Sequence, residues 1–287
     1  MNLRQKMEFP VDFSTPPGEP GLAAPDSVSW QVFKNPIALF VGGVTAVLLE
    51  LAEPRVRSGV WDHTTFRVDP VSRMERTGLA AMLTVYGPRS KSEPMIARVR
   101  RMHDRVEGVT PAGQAYRAND PVLLDWVQAT ASFGFLEAYS AYVRRLSPQT
   151  KDRFYAESAP AAGLYGATAA PKSLAEQQAM FDAILPLLEP SPIIFEFLDI
   201  MARADILPGP LKPIQRMLIR AGIAITPEPV RARLGLGSEW NLKTRERAMI
   251  RVAGAAADRV PITKSPAAQS CRRMGLATNY LYVRVRV

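Results

Sequence analysis

Proline sets the strongest limit on what this chain can become. There are 25 prolines in 287 residues, and several follow a residue able to cap a helix: Asn35-Pro36, Glu53-Pro54, Asp69-Pro70, Asp120-Pro121, Ser147-Pro148, Ser191-Pro192 and Thr226-Pro227. Proline has no N–H to donate, which costs nothing in the first helical turn, and the polar side chain before it accepts from the amides left free there. Each pair therefore starts a helix and stops the previous one from running through it. The expected class is all-α, a single multi-helix domain over 29–260. It is flanked by a flexible N-terminal arm over 1–28, with its P-P-G-E-P-G, and by a tail over 261–287. The closing L-Y-V-R-V-R-V alternates, and either pairs as a strand or stays unpaired.

Composition excludes several classes. A hydrophobic share of 47% is too high for wholesale disorder. The net charge of +9 attracts phosphates, acidic lipids or anionic ligands without choosing among them. Because the basic residues alternate with acids and form no strip with aromatic platforms, nucleic acid is not expected, while peripheral membrane contact stays open. Cys271 is the single cysteine, so neither a disulfide framework nor a cysteine-rich zinc site exists. The opening M-N-L-R-Q-K-M-E-F-P is not followed by the apolar core of a signal peptide, and a cytoplasmic protein is expected.

The apolar run after Asn35-Pro36 is about sixteen residues long and contains Glu50, short of a bilayer span, so it is expected to be a buried central helix. Gly42-Gly43 inside it lowers helix propensity and lets something come close to the backbone, either a neighbouring helix or a flat ligand.

The chain holds two histidines. His103 lies on an apolar stripe with Met95, Ile96, Val99, Met102 and Val106, in a helix expected over 93–107. One reading is a core histidine with backbone partners; the other is an axial ligand of haem iron, which needs a neutral imidazole aimed into an apolar slot and cations such as Arg100 near the rim. The preceding helix, 70–86, ends at Gly87 and should form an antiparallel hairpin with it, placing Thr77 and His103 at one height. Arg73, Arg76 and Thr77 share a face at i, i+3, i+4 spacing, forming either a solvated cluster or one aimed at a ligand. His63, in G-V-W-D-H-T-T-F, falls in or beside a loop.

The helix from Pro121 to about Leu146 carries Gln128 within its apolar stripe, and a buried amide needs a partner across the helix interface. Ser173 to Glu176 has the spacing of a capping box for a helix reaching Leu188. The segment from Leu242 is amphipathic, with Met249, Ile250, Val252 and Ala256 expected inward. No repeat, phosphate loop, Ser-His-Asp pattern or metal-spaced carboxylate set is present.

Several blocks together resemble a family, the helical domain shared by the fungal MpaB oxygenase and the bacterial latex-clearing rubber oxygenases: G-G-V-T-A-V-L-L-E-L-A-E-P, S-G-V-W-D-H-T-T-F-R-V-D-P-V-S-R-M-E-R-T, R-M-H-D-R-V-E-G-V-T-P-A-G-Q-A-Y-R-A-N-D-P and L-L-D-W-V-Q-A-T. The resemblance covers about residues 30–255. It implies a globin-like helical core binding haem b, with His103 as the axial ligand of the iron and an apolar, isoprenoid-like substrate oxidised with O2. Arg73, Arg76 and Thr77 stand where the rubber oxygenases have Arg-x-x-Lys-Thr on the distal side, with Arg76 in place of lysine. Gln128 stands where many members have histidine, and His63 resembles the histidine of the family's H-S-x-F block, a pocket residue. The alternative is a non-catalytic member that keeps the fold and binds haem or an apolar ligand.

Overall fold

Apolar residues surround the segment from Pro36 to Ala52 on almost every side, so its helix is stable only where protein encloses it. The computed structural model describes residues 11–207 and 209–283. In chain order these form α1 (Val28–Phe33), α2 (Pro36–Ala52), α3 (Pro54–His63), α4 (Pro70–Tyr86) and α5 (Arg89–His103). A hairpin follows, β1 (Glu107–Val109) antiparallel to β2 (Ala115–Arg117), with Gly108 opposite Tyr116. Then come α6 (Pro121–Tyr142), α7 (Pro148–Tyr165), α8 (Leu174–Ile184), α9 (Pro192–Arg203), α10 (Lys212–Ile225), α11 (Glu228–Arg233), α12 (Thr244–Ala257), α13 (Pro266–Arg273) and α14 (Tyr280–Val283), with three single turns of 3-10 helix between them. The class is all-α, as expected.

The caps follow the proline pairs. Asn35, Glu53, Asp69, Asp120, Ser147 and Ser191 each accept a backbone N–H in the first turn of the helix that their proline starts. Thr226-Pro227 differs, since Pro227 itself is the N-cap of α11 and no side chain caps it. Ser173 accepts from Glu176 N, and Glu176 reaches back to Lys172 N, one residue beyond the box position; α8 stops at Ile184 and a 3-10 turn replaces its expected last turn.

Helix α2 packs most extensively against α6 and also against α10, α3, α12 and α9. A Cβ on Gly42 would lie 2.7 Å from Phe135 Cα, and one on Gly134 would lie 2.5 Å from Gly42 O, so the pair of glycines is what lets α2 and α6 touch backbone to backbone. Two large apolar clusters share these helices. One gathers Trp30, Val41, Tyr86, Tyr139 and Phe154, the other Leu48, Trp61, Trp126, Phe181 and Phe197. Consecutive α2 and α3 bend by 110°, and no single helix among the described residues is long and apolar enough to cross a membrane.

Three expectations are corrected. Residues 11–27, expected in a flexible arm, run along the helices: Phe13 is fully buried, and Arg273 donates to Phe13 O (2.7 Å) and Glu19 O (2.9 Å). A segment with little apolar surface is held here by its backbone carbonyls. The tail forms α13 and α14, with Cys271 and Leu281 fully buried, because the buried Lys34 ammonium donates to Leu281 O (2.7 Å) and Asp258 O (3.0 Å); of the strand-like closing residues, 281–283 are helical and 284–287 lie outside the described residues. On α12 the inward residues are Ile250 and Gly254, followed by the C-cap Asp258, one turn apart, while Met249, Val252 and Ala256 are exposed, since Gly254 must meet the Tyr142 carbonyl.

Candidate functional site

One face of α2 is not closed by its neighbours. Phe40, Gly43, Val47 and Glu50, at helical spacing, keep part of their surface reachable by water although α2 is the central helix. A Cβ built on Gly43 would find no atom within 4 Å, in contrast to Gly42 one position before it. The same holds on α6, where Val127, Gln128, Ala131 and Phe135 form a partly accessible face. Glu50 combines the two conditions: protein encloses it so completely that desolvation pushes its carboxyl up to about 7, yet it still has accessible surface. Glu50 and the partly accessible faces of α2 and α6 outline a recess beside α2 that water reaches. Apolar side chains make up most of its wall, as a site for an apolar ligand requires.

The α4–α5 hairpin borders this space. It packs against α1, α7 and α13; at its closed end Ser92 donates to Leu83 O (2.7 Å) and Gly87 leaves no room for a side chain. Its open end carries the polar groups. Helix α5 begins at Arg89, earlier than expected, with Pro94 inside it, and ends at His103. At ~1.5 Å per residue His103 stands about 21 Å from the turn, level with Arg73 at about 20 Å, whereas Thr77 is level with Val99. The expected Thr77–His103 pairing is thus corrected to Arg73–His103.

Burial depresses the His103 pKa below its ordinary value; a hydrogen bond to Asn119 opposes this, Arg73 adds to it and Asp104 opposes it. The imidazole is accordingly neutral at pH 7. Arg73 is desolvated as well, attracted by Glu50 and repelled by Arg76. Among the described residues, neither an ion pair nor a hydrogen bond ties the Arg73 guanidinium or the Glu50 carboxylate to a partner side chain, and the two groups attract one another at longer range.

The remaining expected site residues lie elsewhere. Arg76 is exposed and donates to Thr65 Oγ1 (3.0 Å), and exposed Thr77 donates back to Arg73 O (3.0 Å). Arg100 is exposed on α5. His63, also exposed, ends α3 and is hydrogen-bonded through Nε2 to Tyr116 Oη (3.1 Å), fastening the hairpin to α3. Gln128 is half-buried on the open face of α6 but donates to Ser132 Oγ on its own helix (3.1 Å), so no partner across the interface is needed. Two residues were missed by the sequence reading: Glu50, whose signal was a lone carboxylate inside an apolar run, and Asn119, which carried no signal. No group of three or more metal-ligating side chains is found among the described residues. A separate open depression of about 400 Å³ beside α7, lined by Ala156, Ala159, Pro160, Gly163 and Lys172, holds no carboxylate and no imidazole.

The family described as ER-bound oxygenase mpaB/B'/rubber oxygenase, catalytic domain, matches residues 30–259. No curated protein and no solved structure matches the chain.

Proposed function

The chain belongs to the MpaB and rubber oxygenase catalytic-domain family, and from that premise we propose that it is a haem b-dependent oxygenase acting on an apolar, isoprenoid-like substrate with O2. The observation that carries the reading is the water-reachable interior space whose polar groups are His103, Arg73 and Glu50 and whose walls are otherwise largely apolar. These residues fit a haem. Gly43 leaves a flat stretch of helix backbone open, His103 offers a neutral imidazole at a helix end, and Arg73, with Arg76 and Arg100 nearer the surface, supplies cations for carboxylates. The cofactor would supply the redox chemistry and the activation of O2.

The chain's own residues do the rest. Phe40, Val47, Val127 and Phe135 hold an apolar substrate and displace water from it. Arg73, unpaired within the site, is free to stabilise negative charge that develops there. Glu50, poised near 7, can hold a proton on its carboxyl or take one from the substrate at neutral pH. The purified protein should show a Soret band, and His103→Ala should lose it or change its form; a colourless protein after expression with haem supply sinks the reading.

A second reading, haem or lipid binding without catalysis, rests on Arg76, which stands at the family's lysine position and turns its guanidinium outward to Thr65. Native mass spectrometry separates the two readings: a co-purified lipid with no haem mass supports the second, and turnover of an apolar alkene with O2 removes it.

A further inference from the structure

We infer that the outward face of α12 docks this protein on the surface of an anionic lipid bilayer. The inference rests on that face alone, and on neither haem nor His103.

Helix α12 is apolar on two sides. Ile250 and Gly254 turn inward, where Gly254 lets the helix backbone meet the Tyr142 carbonyl. A second set, Met249, Val252, Ala253 and Ala256, recurs at three- and four-residue intervals and forms one column on the outer side, all of it exposed. Met249 is 58% exposed and Val252 72%, and Val260, 60% exposed, follows just beyond the helix. Single exposed apolar side chains are ordinary on a protein surface, whereas a column of them marks a surface that another body covers.

Charge decides which body. Arg245 stands one turn before Met249, Arg259 stands three residues after Ala256, and Arg251 lies beside Val252; all three are exposed, and among the described residues none is paired with a carboxylate. Arg251 Nε donates to Ala141 O (3.1 Å) and Arg259 Nη1 to Ala255 O (2.6 Å), which leaves the other guanidinium nitrogens of both free. The acids of the segment are turned away: Glu246 is engaged by Arg220 and by Lys243 N (3.0 Å), and Asp258 is buried against Lys34 (3.4 Å). The outer face is therefore apolar along its length, cationic at both ends and free of acid.

A second copy of this chain would cover the column but set the arginines of the two copies against one another, and such like-charge juxtaposition is unfavourable. A nucleic acid would pair the arginines and leave the column in water. An anionic bilayer takes both at once, because the apolar side chains enter the boundary between headgroups and acyl chains while the arginines reach out to the lipid phosphates. The net charge of +9 draws the whole chain toward the same surface. Helix α12 packs on α2 and α6, the two helices whose open faces outline the recess, so docking holds the recess close to the phase in which an apolar substrate dissolves; only this last point leans on the proposed function.

The test uses the full, haem-free chain and vesicles of phosphatidylcholine with or without phosphatidylserine. The protein should sediment with the phosphatidylserine vesicles, hardly at all with phosphatidylcholine alone, and be released by high salt. Met249→Glu with Val252→Glu should lose this binding while circular dichroism and thermal unfolding stay unchanged, since both side chains are exposed. Arg245→Gln and Arg259→Gln should each weaken it about fivefold, whereas Arg98→Gln with Arg101→Gln, which removes the same charge from exposed positions on α5, should change it much less. Insertion is read separately from Val252→Cys carrying an environment-sensitive fluorophore, whose emission should move to the blue on phosphatidylserine vesicles; Cys271 is fully buried and stays unlabelled.

No binding to phosphatidylserine vesicles, equal binding to phosphatidylcholine alone, or binding that survives Met249→Glu with Val252→Glu overturns the inference. So does an α5 pair that matters as much as the two α12 arginines, which would leave only the net charge at work, and so does a vesicle-free dimer dissolved by the same glutamates, which would assign the face to a second copy. A chain that docks through α12 and takes up no haem leaves the inference standing and removes the proposed function; a haem oxygenase that ignores the vesicles does the reverse.

Discussion

Glu50 on α2 and Arg73 on α4 attract one another across the interior space without closing into an ion pair. Burying a carboxylate without a direct counter-ion raises its pKa, here from the ordinary 4.5 to about 7. The folded state then holds a proton on Glu50 at pH values where the unfolded chain has released it. The associated stability is fully present below pH 4.5 and is lost as pH rises to about 7. Glu50→Gln, which resembles the protonated acid, should match the wild type near pH 4 and exceed it by about 2–3 kcal/mol at pH 8. Urea unfolding of haem-free protein at both pH values checks this. A difference that does not vary with pH would mean that Glu50 keeps its ordinary pKa in the folded protein.

The adjacent glycines of α2 should respond in opposite ways. Gly43→Ala adds a methyl group to open space on a helix interior and should stabilise the protein by about 0.5–1 kcal/mol. Gly42→Ala drives a methyl into Phe135 and the Gly134 carbonyl and should destabilise it by about 1–3 kcal/mol or more. Gly43→Phe should fold normally yet fail to take up haem, because the ring occupies the flat backbone face. Haem uptake by Gly43→Phe would place the cofactor elsewhere.

Among the arginines, Arg73 faces the site and Arg76 faces solvent at Thr65. In haem-loaded protein Arg73→Ala should therefore shift the absorption spectrum of the cyanide complex, and Arg76→Ala should leave it unchanged. The reverse pattern would show that α4 turns when ligand binds.

Lys34 connects the start of α2 to the carboxyl-terminal helices through Asp258 and Leu281 O. Its burial lowers its pKa while the Asp258 carboxylate opposes that. Lys34→Met would leave Asp258 as a buried charge with Asn35 and Tyr139 as its side-chain donors among the described residues, and a loss of about 3–5 kcal/mol is expected. Thermal unfolding of the single variant against Lys34→Met with Asp258→Asn measures it: the double variant should recover part of the loss, and no recovery would place the cost in packing.

Sequence alone determined the class and the cutting points. A proline behind a capping side chain acts within one helical turn, so six of the seven pairs could be placed without knowing any distant contact, and α4 begins and ends where Asp69-Pro70 and Gly87 put it. The blocks carrying the family resemblance are likewise local strings, whereas the apolar stripe expected around His103 holds only in part, since Met102 is exposed and α5 ends before Val106. What only the tertiary structure decided is which side of each helix meets protein, which meets solvent and which meets the interior space. Gly42 and Gly43 are identical in sequence terms and opposite in role, because α6 covers one while no atom of the described residues comes within 4 Å of a Cβ on the other. Arg73, Arg76 and Thr77 share a spacing, but only Arg73 is level with His103, since α5 starts four residues sooner than its apolar pattern suggested. Glu50 acquires its raised pKa from atoms on other helices, and Asn119 reaches Arg100 O and Asp104 at the end of α5 through the return of the β1–β2 hairpin. Periodicity reports the preference of a residue for burial; the identity of what buries it depends on pairings between distant segments, which no local pattern encodes.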